Sequence, residues 1–250
     1  MGGYFNGTGV PVQIFVQDAV DWPSNSSPLA VRLNRLLPYK TGMILIGQYD
    51  SPFVRRVGIA LTLYGIPFEH RPWSAFGDAD KIRPYNPLTR VPTLVLDNGE
   101  VLIESHLMLD YLDGLVPGEK RMFPTAEPLR HQALKISALA TGLGDKAVSL
   151  FYEKRLHEKV SNVWAGRCRT QIETVLAVLE ADRAERSTPY WFGDRIGHAD
   201  IVVAAVLRFI GEAHPGLVSL ADFPALNTHA TRMEALVVFQ EISQPFIAPA

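Results

Sequence analysis

Cysteine is nearly absent: the chain of 250 residues has one, Cys168. A single thiol excludes an internal disulfide and any metal site built on several cysteines, and it suits a reducing compartment. Excess charge of one sign is also missing. Lys and Arg number 24 against 26 Asp and Glu, a net charge of −2. That leaves no bulk attraction for nucleic acid or for an anionic membrane surface. No apolar run approaches the roughly 18–20 residues needed to span a bilayer. The seven histidines form no pair at metal-ligand spacing with a matching carboxylate, so no metal is expected. His157-Glu158 lacks the second histidine of a zinc-protease helix, and no glycine-rich loop matches a P-loop or a dinucleotide fingerprint. Internal repeats and low-complexity segments are missing as well. What remains is an ordinary globular composition, 47% hydrophobic and 20% charged, long enough for one large domain or two modest ones.

Residues 1–42 differ from the rest. They hold Gly-Gly, Gly-Thr-Gly, Trp22-Pro23-Ser24-Asn25-Ser26-Ser27-Pro28 and Pro38, with one apolar patch from Val12 to Val16. The pattern of a secretory signal is not there. The segment is read as an extension outside the core fold, from a mis-assigned upstream start or an added leader, with Met43 as the natural beginning. A real, loosely docked extension is the alternative, and mass spectrometry of the protein from its source separates the two.

From Met43 onward the patterning is clear. Met43-Ile44-Leu45-Ile46-Gly47 has the length and composition of a buried strand. Gln48-Tyr49-Asp50 is a turn, and Ser51-Pro52 is a helix start, with serine as N-cap and proline at the first helical position. Val54, Val57, Ile59, Ala60, Leu61 and Leu63 give the helix a broad apolar face, leaving Arg55 and Arg56 for water or a ligand. Gly65 and Pro67 stop it. A second strand is expected within Pro67–Arg71 and a short helix within Asp78–Tyr85. Val91 to Leu96 reads as a strand, Asp97-Asn98-Gly99-Glu100 as a tight turn, and Val101 to Ile103 as the antiparallel partner. A helix opens at Glu104-Ser105 with Leu107, Met108, Tyr111, Leu112 and Leu115 as its expected buried side. This order implies a small mixed sheet flanked by helices over residues 43–116.

Residues 117–128 shift to proline, glycine and charge, as a linker does. Residues 129–250 read as all-helical. The almost wholly apolar Ala199–Ile210 belongs at the centre of that part. Gly197 stands where an N-cap would, three residues before Asp200, and glycine there is tolerated at a few tenths of a kcal/mol.

Three features carry chemistry. Ser51 places a hydroxyl at a helix N-terminus at the end of a strand, a position suited to an anion; Ser-Pro alone is more often a plain cap. Tyr49 is an alternative hydroxyl. Pro92 cannot donate to the ladder, and in the cis form it would turn the Val91 backbone outward to pair with a peptide-like ligand. Glu104-Ser105 is a polar pair at a second helix N-terminus. Ser105 and the free N–H groups suit a carboxylate and Glu104 suits an ammonium, together the two ends of an α-amino acid. Plain capping explains that pair equally well. Cys168 lies in an apolar-periodic helix and reads as core.

Ser51-Pro52-Phe53-Val54-Arg55-Arg56, Asn86-Pro87-Leu88-Thr89-Arg90-Val91-Pro92, Leu102-Ile103-Glu104-Ser105, and Gly193 through Ala199-Asp200, in that order, resemble the glutathione transferase family over about 200 residues. The resemblance implies a thioredoxin-like domain that binds glutathione as co-substrate, an all-helical domain shaping a pocket for a small electrophile, and a cytoplasmic, detoxifying homodimer. It puts Ser51 at the glutathione sulfur and the Val91 backbone on the cysteinyl unit. It puts Glu104 and Ser105 at the γ-glutamyl end, Arg90 near the glycyl carboxylate, and Phe53 and Pro92 along the tripeptide. Phe151 and Tyr152 are candidates for the electrophile pocket. Omega-like and glutaredoxin-like relatives carry cysteine where Ser51 stands, so a mixed disulfide through this position is ruled out. Zeta-like isomerases share the serine but differ at Pro52-Phe53. A non-catalytic binding module on the same fold, or a glutathione-dependent peroxidase, lyase or isomerase, are the alternative functions.

Overall fold

The computed structural model describes residues 42–248; the expectation for residues 1–42 lies almost wholly outside them. Strand β1 (Met43–Ile46) leads into α1 (Pro52–Tyr64), and β2 (Phe68–Arg71), α2 (Ala79–Ile82), β3 (Thr93–Val95), β4 (Val101–Ile103) and α3 (Ser105–Gly114) follow. The sheet order is β2-β1-β3-β4, with β1 parallel to β2 and antiparallel to β3, and β3 paired antiparallel with β4. Period-two alternation sorts the central strand between two faces. Leu45 enters the core beneath α1 and α3, whereas Ile44 and Ile46 meet Ile82, Val95 and Trp73 on the other side. Gly65 ends α1 in the left-handed conformation, φ 67°, as the sequence expects.

The second part is helical: α4 (Leu129–Leu156), α5 (Asn162–Ala184), α6 (His198–Ala213), α7 (Pro224–Glu234) and α8 (Val237–Glu241). Cys168 is buried with Ala140, Leu143, Ile172 and Val202 between α4, α5 and α6, as core. Helix α6 is buried almost throughout, with Ile201 and Ala204 facing the core shared with α1 and Val202 and Val206 facing α4 and α5. At its start the Asp200 carboxylate accepts from the Gly197 N–H at 2.8 Å and from the Trp191 N–H at 2.8 Å. The reciprocal half of a capping box is missing, since Gly197 has no side-chain oxygen. A Cβ there would lie 2.9 Å from the Met122 carbonyl oxygen, which explains why a hydroxyl-bearing cap does not occupy the position.

Two expectations need correction. Arg55 and Arg56 do not face water; they are 2% and 1% exposed. The run Val57 to Leu61 is buried on every face of α1, because α1 is sandwiched between the sheet and α6 and leaves the arginines no solvent side. Each is satisfied internally. Arg55 makes a two-pronged pair with Glu234 at 2.6 and 2.7 Å and donates to the Ile242 and Phe239 carbonyls. The second correction concerns α3: Met108, Leu109 and Leu112 are buried, but Leu107, Tyr111 and Leu115 are exposed. Among the described residues no helix is long and apolar enough to cross a membrane.

Candidate functional site

The loop after β1 delivers Ser51 to the first turn of α1. Its Oγ accepts from the Val54 N–H at 3.4 Å, near the outer limit of a hydrogen bond, so capping uses the oxygen weakly. The hydroxyl proton stays available to donate outward. Ser51 lines a cavity of about 370 Å³ together with Phe53, Arg90 and Val91. A smaller adjoining cavity of about 80 Å³ shares Phe53, Arg90, Val91 and Asp145 and adds Pro92, Glu104, Ser105 and Thr141. One groove therefore runs from the Ser51 hydroxyl, past Val91, to Glu104 and Ser105. The sequence placed these residues more than fifty positions apart, and the fold brings them together.

The Val91–Pro92 peptide is cis and Pro92 is buried. Asn86 holds this corner, donating to the Arg90 carbonyl and to Thr93 Oγ1, both at 3.0 Å. Glu104 sits at φ 66° and ψ 109°, in the left-handed half of the map. For a non-glycine residue that costs about 1–3 kcal/mol, strain that concentrates at ligand sites. Arg90 lines both cavities, with its Nη1 3.1 Å from Glu104 Oε1.

Arg56 is the residue the sequence reading missed. Its Nε and Nη2 donate to Ser105 Oγ at 3.0 and 2.6 Å, and its Nη1 donates to Thr141 Oγ1 at 3.0 Å. With both acceptor positions of Ser105 taken, that hydroxyl can only donate into the groove. Burial pushes the guanidinium down to about 10, opposed by Asp145 and Glu104, so it remains a cation at neutral pH. The signal was present in the continuous apolar run of α1, which made a water-facing arginine there untenable.

Tyr49 is not among the residues that line the groove. It packs in the core with its ring stacked on His70 at 3.8 Å, it does not line either cavity, and burial pushes its phenol up to about 12. Phe151 and Tyr152 do line the larger cavity. Four further aromatic walls went unread: Trp73 and Phe76 after β2, Phe209 on α6, and Phe246 in the tail. Phe76 meets Tyr152 edge-on at 5.3 Å, and Phe246 meets Phe151 at 5.1 Å. The four come from three separate segments, and nothing local in the sequence links those segments. Among the described residues no cluster of His, Cys, Asp or Glu could hold a metal ion.

A four-stranded mixed sheet of this order, presenting a helix N-terminus to a groove and packed on a helical body, defines the thioredoxin-like two-domain class. Residues 45–120 match the family model for the glutathione S-transferase N-terminal domain and residues 162–232 that for the C-terminal domain. The uncharacterized GST-like protein YibF of Escherichia coli strain K12 is 31% identical over 170 residues, covering 67% of this chain and 82% of that protein. Glutathione S-transferase U3 of Arabidopsis thaliana is 28% identical over 221 residues, 80% of this chain and 88% of that one. Among solved structures, a Methylobacterium radiotolerans glutathione S-transferase in complex with glutathione sulfonate superposes with a TM-score of 0.76 at 28% identity, over 83% of this chain and 99% of that one. A Pseudomonas fluorescens family member with bound glutathione gives a TM-score of 0.70 at 28% identity, over 82% and 100%. The chain belongs to the glutathione S-transferase family.

Proposed function

We propose that this protein is a serine-type glutathione transferase in which Ser51 keeps the glutathione sulfur ionised for attack on a small electrophile. The observation that carries the reading is the groove joining the outward-donating Ser51 hydroxyl, at a helix N-terminus, to the Glu104–Ser105–Arg56 cluster. Ser105 donates to the γ-glutamyl carboxylate, Glu104 accepts from its ammonium, and the Val91 backbone pairs with the cysteinyl unit. Phe53 and Pro92 support the peptide from below. Arg56 holds Ser105 in its donating orientation and supplies positive charge behind it. The thiol proton passes to water and sulfur bonds to the electrophilic carbon; that carbon expels its leaving group or, in an addition, its bonding electron pair moves to the neighbouring atom, which takes up a proton from water. Proximity and charge stabilisation supply most of the acceleration. The wide aromatic cavity favours conjugation of a bulky carbon electrophile over reduction of a small peroxide.

On this reading residues 117–128 are the linker between the two domains, and the lone cysteine supports a reducing, cytoplasmic setting. Homodimerisation is supported by the exposed stripe Leu107, Tyr111 and Leu115 on α3. The Arg130–Asp110 pair at 3.5 Å brings the start of α4, with exposed Leu129, beside it. Sedimentation is expected to give twice the chain mass, and a monomer at micromolar concentration would remove the dimer from the account.

The direct test is retention on glutathione-agarose and elution by free glutathione. Ser105→Ala is expected to weaken glutathione binding about ten- to hundredfold, since a hydrogen bond to a charged group contributes about 1.5–3 kcal/mol. Wild-type protein that flows through the resin would favour a non-catalytic module instead.

A further inference from the structure

The large cavity has an asymmetric charge lining. Arg90 and Asp145 reach it from the glutathione side, and both also line the smaller cavity. Asp50 lines only the larger one, next to Ser51, facing aromatic walls that include Tyr152 and Phe246. One Asp50 oxygen, Oδ2, accepts from the Ile247 N–H at 3.0 Å and so pins the tail that forms one wall. Among the described residues no cation pairs with Asp50. Arg55 is consumed by Glu234 and two carbonyls, and Arg208 by Glu212 and Glu234. Asp50 is thus a half-buried carboxylate with no counter-ion, and burial raises its carboxyl above the ordinary range even against its backbone hydrogen bonds. Arg90, the cation on the cavity wall, pairs with Glu104 and not with Asp50.

We propose that Asp50 sets the charge specificity of the electrophile cavity: it accepts flat aromatic compounds carrying a cationic or strongly hydrogen-bond-donating group and rejects those carrying a carboxylate. This assignment rests on the glutathione transferase reading for what happens after binding. The preference itself acts on the aromatic partner alone and can be measured without glutathione. A ligand cation would supply a counter-ion for Asp50, whereas a ligand carboxylate would bring a second negative charge beside a half-buried carboxylate.

The test titrates two inert isosteres of opposite charge, 4-nitrobenzylammonium and 4-nitrobenzoate, against the full chain, following the quenching of tryptophan fluorescence that Trp73 on the cavity wall makes sensitive. The ammonium is expected to bind about tenfold more tightly than the benzoate, the scale of one favourable against one unfavourable charge contact at a partly solvated site. Asp50→Asn keeps an acceptor for the Ile247 N–H but removes the charge, and it is expected to shrink the ratio to about twofold. Equal binding of the two probes by wild type, tighter binding of the benzoate, binding of neither, or a ratio unchanged in Asp50→Asn would each overturn the proposal. Failure of the parent reading shows elsewhere, as loss of retention on glutathione-agarose with the charge preference intact.

Discussion

Ser51→Ala is expected to lower kcat/KM for conjugation roughly five- to fiftyfold at neutral pH while leaving glutathione bound. The hydroxyl's hydrogen bond to a thiolate contributes about 1.5–3 kcal/mol, and the α1 N-terminus adds roughly 0.3–2 kcal/mol that the substitution leaves in place. At about 1.36 kcal/mol per pH unit, removing the hydroxyl raises the bound thiol's pKa by about one to two units. Starting from a thiol near 8.5 that the intact site holds around neutrality, the ionised fraction at pH 7 falls about five- to fiftyfold. Activity rises with pH as the thiol ionises, so the rising limb of the kcat/KM profile should move upward by that same interval. The thiolate's ultraviolet absorbance should shift with it. The structural loss is smaller: a serine cap contributes about 0.5–2 kcal/mol, and a bond of 3.4 Å puts this one at the low end. Ser51→Thr, which keeps a hydroxyl, should restore most of the limb. An unchanged limb and unchanged absorbance in the alanine variant would remove Ser51 from the mechanism. Tyr49 is a poor substitute, because its stacked phenol, pushed up to about 12, lines neither cavity; Tyr49→Phe is expected to leave the profile where it is.

What the sequence made legible was whatever local patterning and turn chemistry control. The strand, Ser51-Pro52, the helix and Gly65 follow one another as written, and Asp97-Asn98-Gly99-Glu100 closes the β3–β4 hairpin. Ser51, Val91 and Ser105 each sit at a punctuation point of the chain, so each could be picked out singly. That they share a groove depended on sheet order, and the family resemblance, not periodicity, joined them in advance. The errors all concern tertiary surroundings. An amphipathic reading of α1 assumes one dry side, and α1 has two, so it leaves Arg55 and Arg56 for water or a ligand and does not show the support that Arg56 gives Ser105. The reading of α3 made the opposite error, treating an apolar stripe as buried although Leu107 and Leu115 lie outside. The cavity walls illustrate a third limit: Trp73, Phe76, Phe209 and Phe246 are ordinary aromatics until three segments fold against one another.

The second large effect is structural. Asp113 closes α3 at its C-terminal end, where a carboxylate opposes the helix dipole, so it is held there by other partners. Its Oδ1 accepts from His198 Nε2 at 2.9 Å, from the Tyr64 hydroxyl, and from the Met122 N–H at 3.3 Å; Oδ2 accepts from the Phe123 N–H at 3.0 Å. Four segments meet on one carboxylate: the end of α1, the end of α3, the linker and the start of α6. Burial alone would raise its carboxyl, but the hydrogen bonds and the His198 ring outweigh burial and hold it below the ordinary value. Burial pushes His198 down despite Asp113, so the ring is neutral, with the proton on Nε2 and Nδ1 unpartnered. Asp113→Ala takes the acceptor from the Phe123 N–H, the His198 imidazole N–H and the Tyr64 hydroxyl, while the Met122 N–H keeps the Tyr64 oxygen at 3.0 Å, a loss of about 3–5 kcal/mol. At about 2–4 °C per kcal/mol for a chain of this size, Tm should fall by roughly 6–20 °C. Asp113→Asn should lose less, because an amide keeps one acceptor and His198 can move its proton to Nδ1. The pH dependence follows from the directions. A histidine whose folded pKa is lowered contributes stability that is complete above its unfolded value near 6.5 and is lost as acid protonates the unfolded chain first. His198, His214 and His229, the last pushed down to about 4, all act this way. Asp200, pushed up to about 6 by burial, opposes them in part. Asp113 adds its share below about 3.9, where the unfolded carboxylate takes up a proton before the folded one. Thermal melts should therefore show Tm dropping from pH 7 to pH 5. A flat or rising Tm across that interval would mean that these histidines are not kept neutral by burial, and an Asp113→Ala variant that melts with wild type would mean that this carboxylate does not tie the two parts of the chain together.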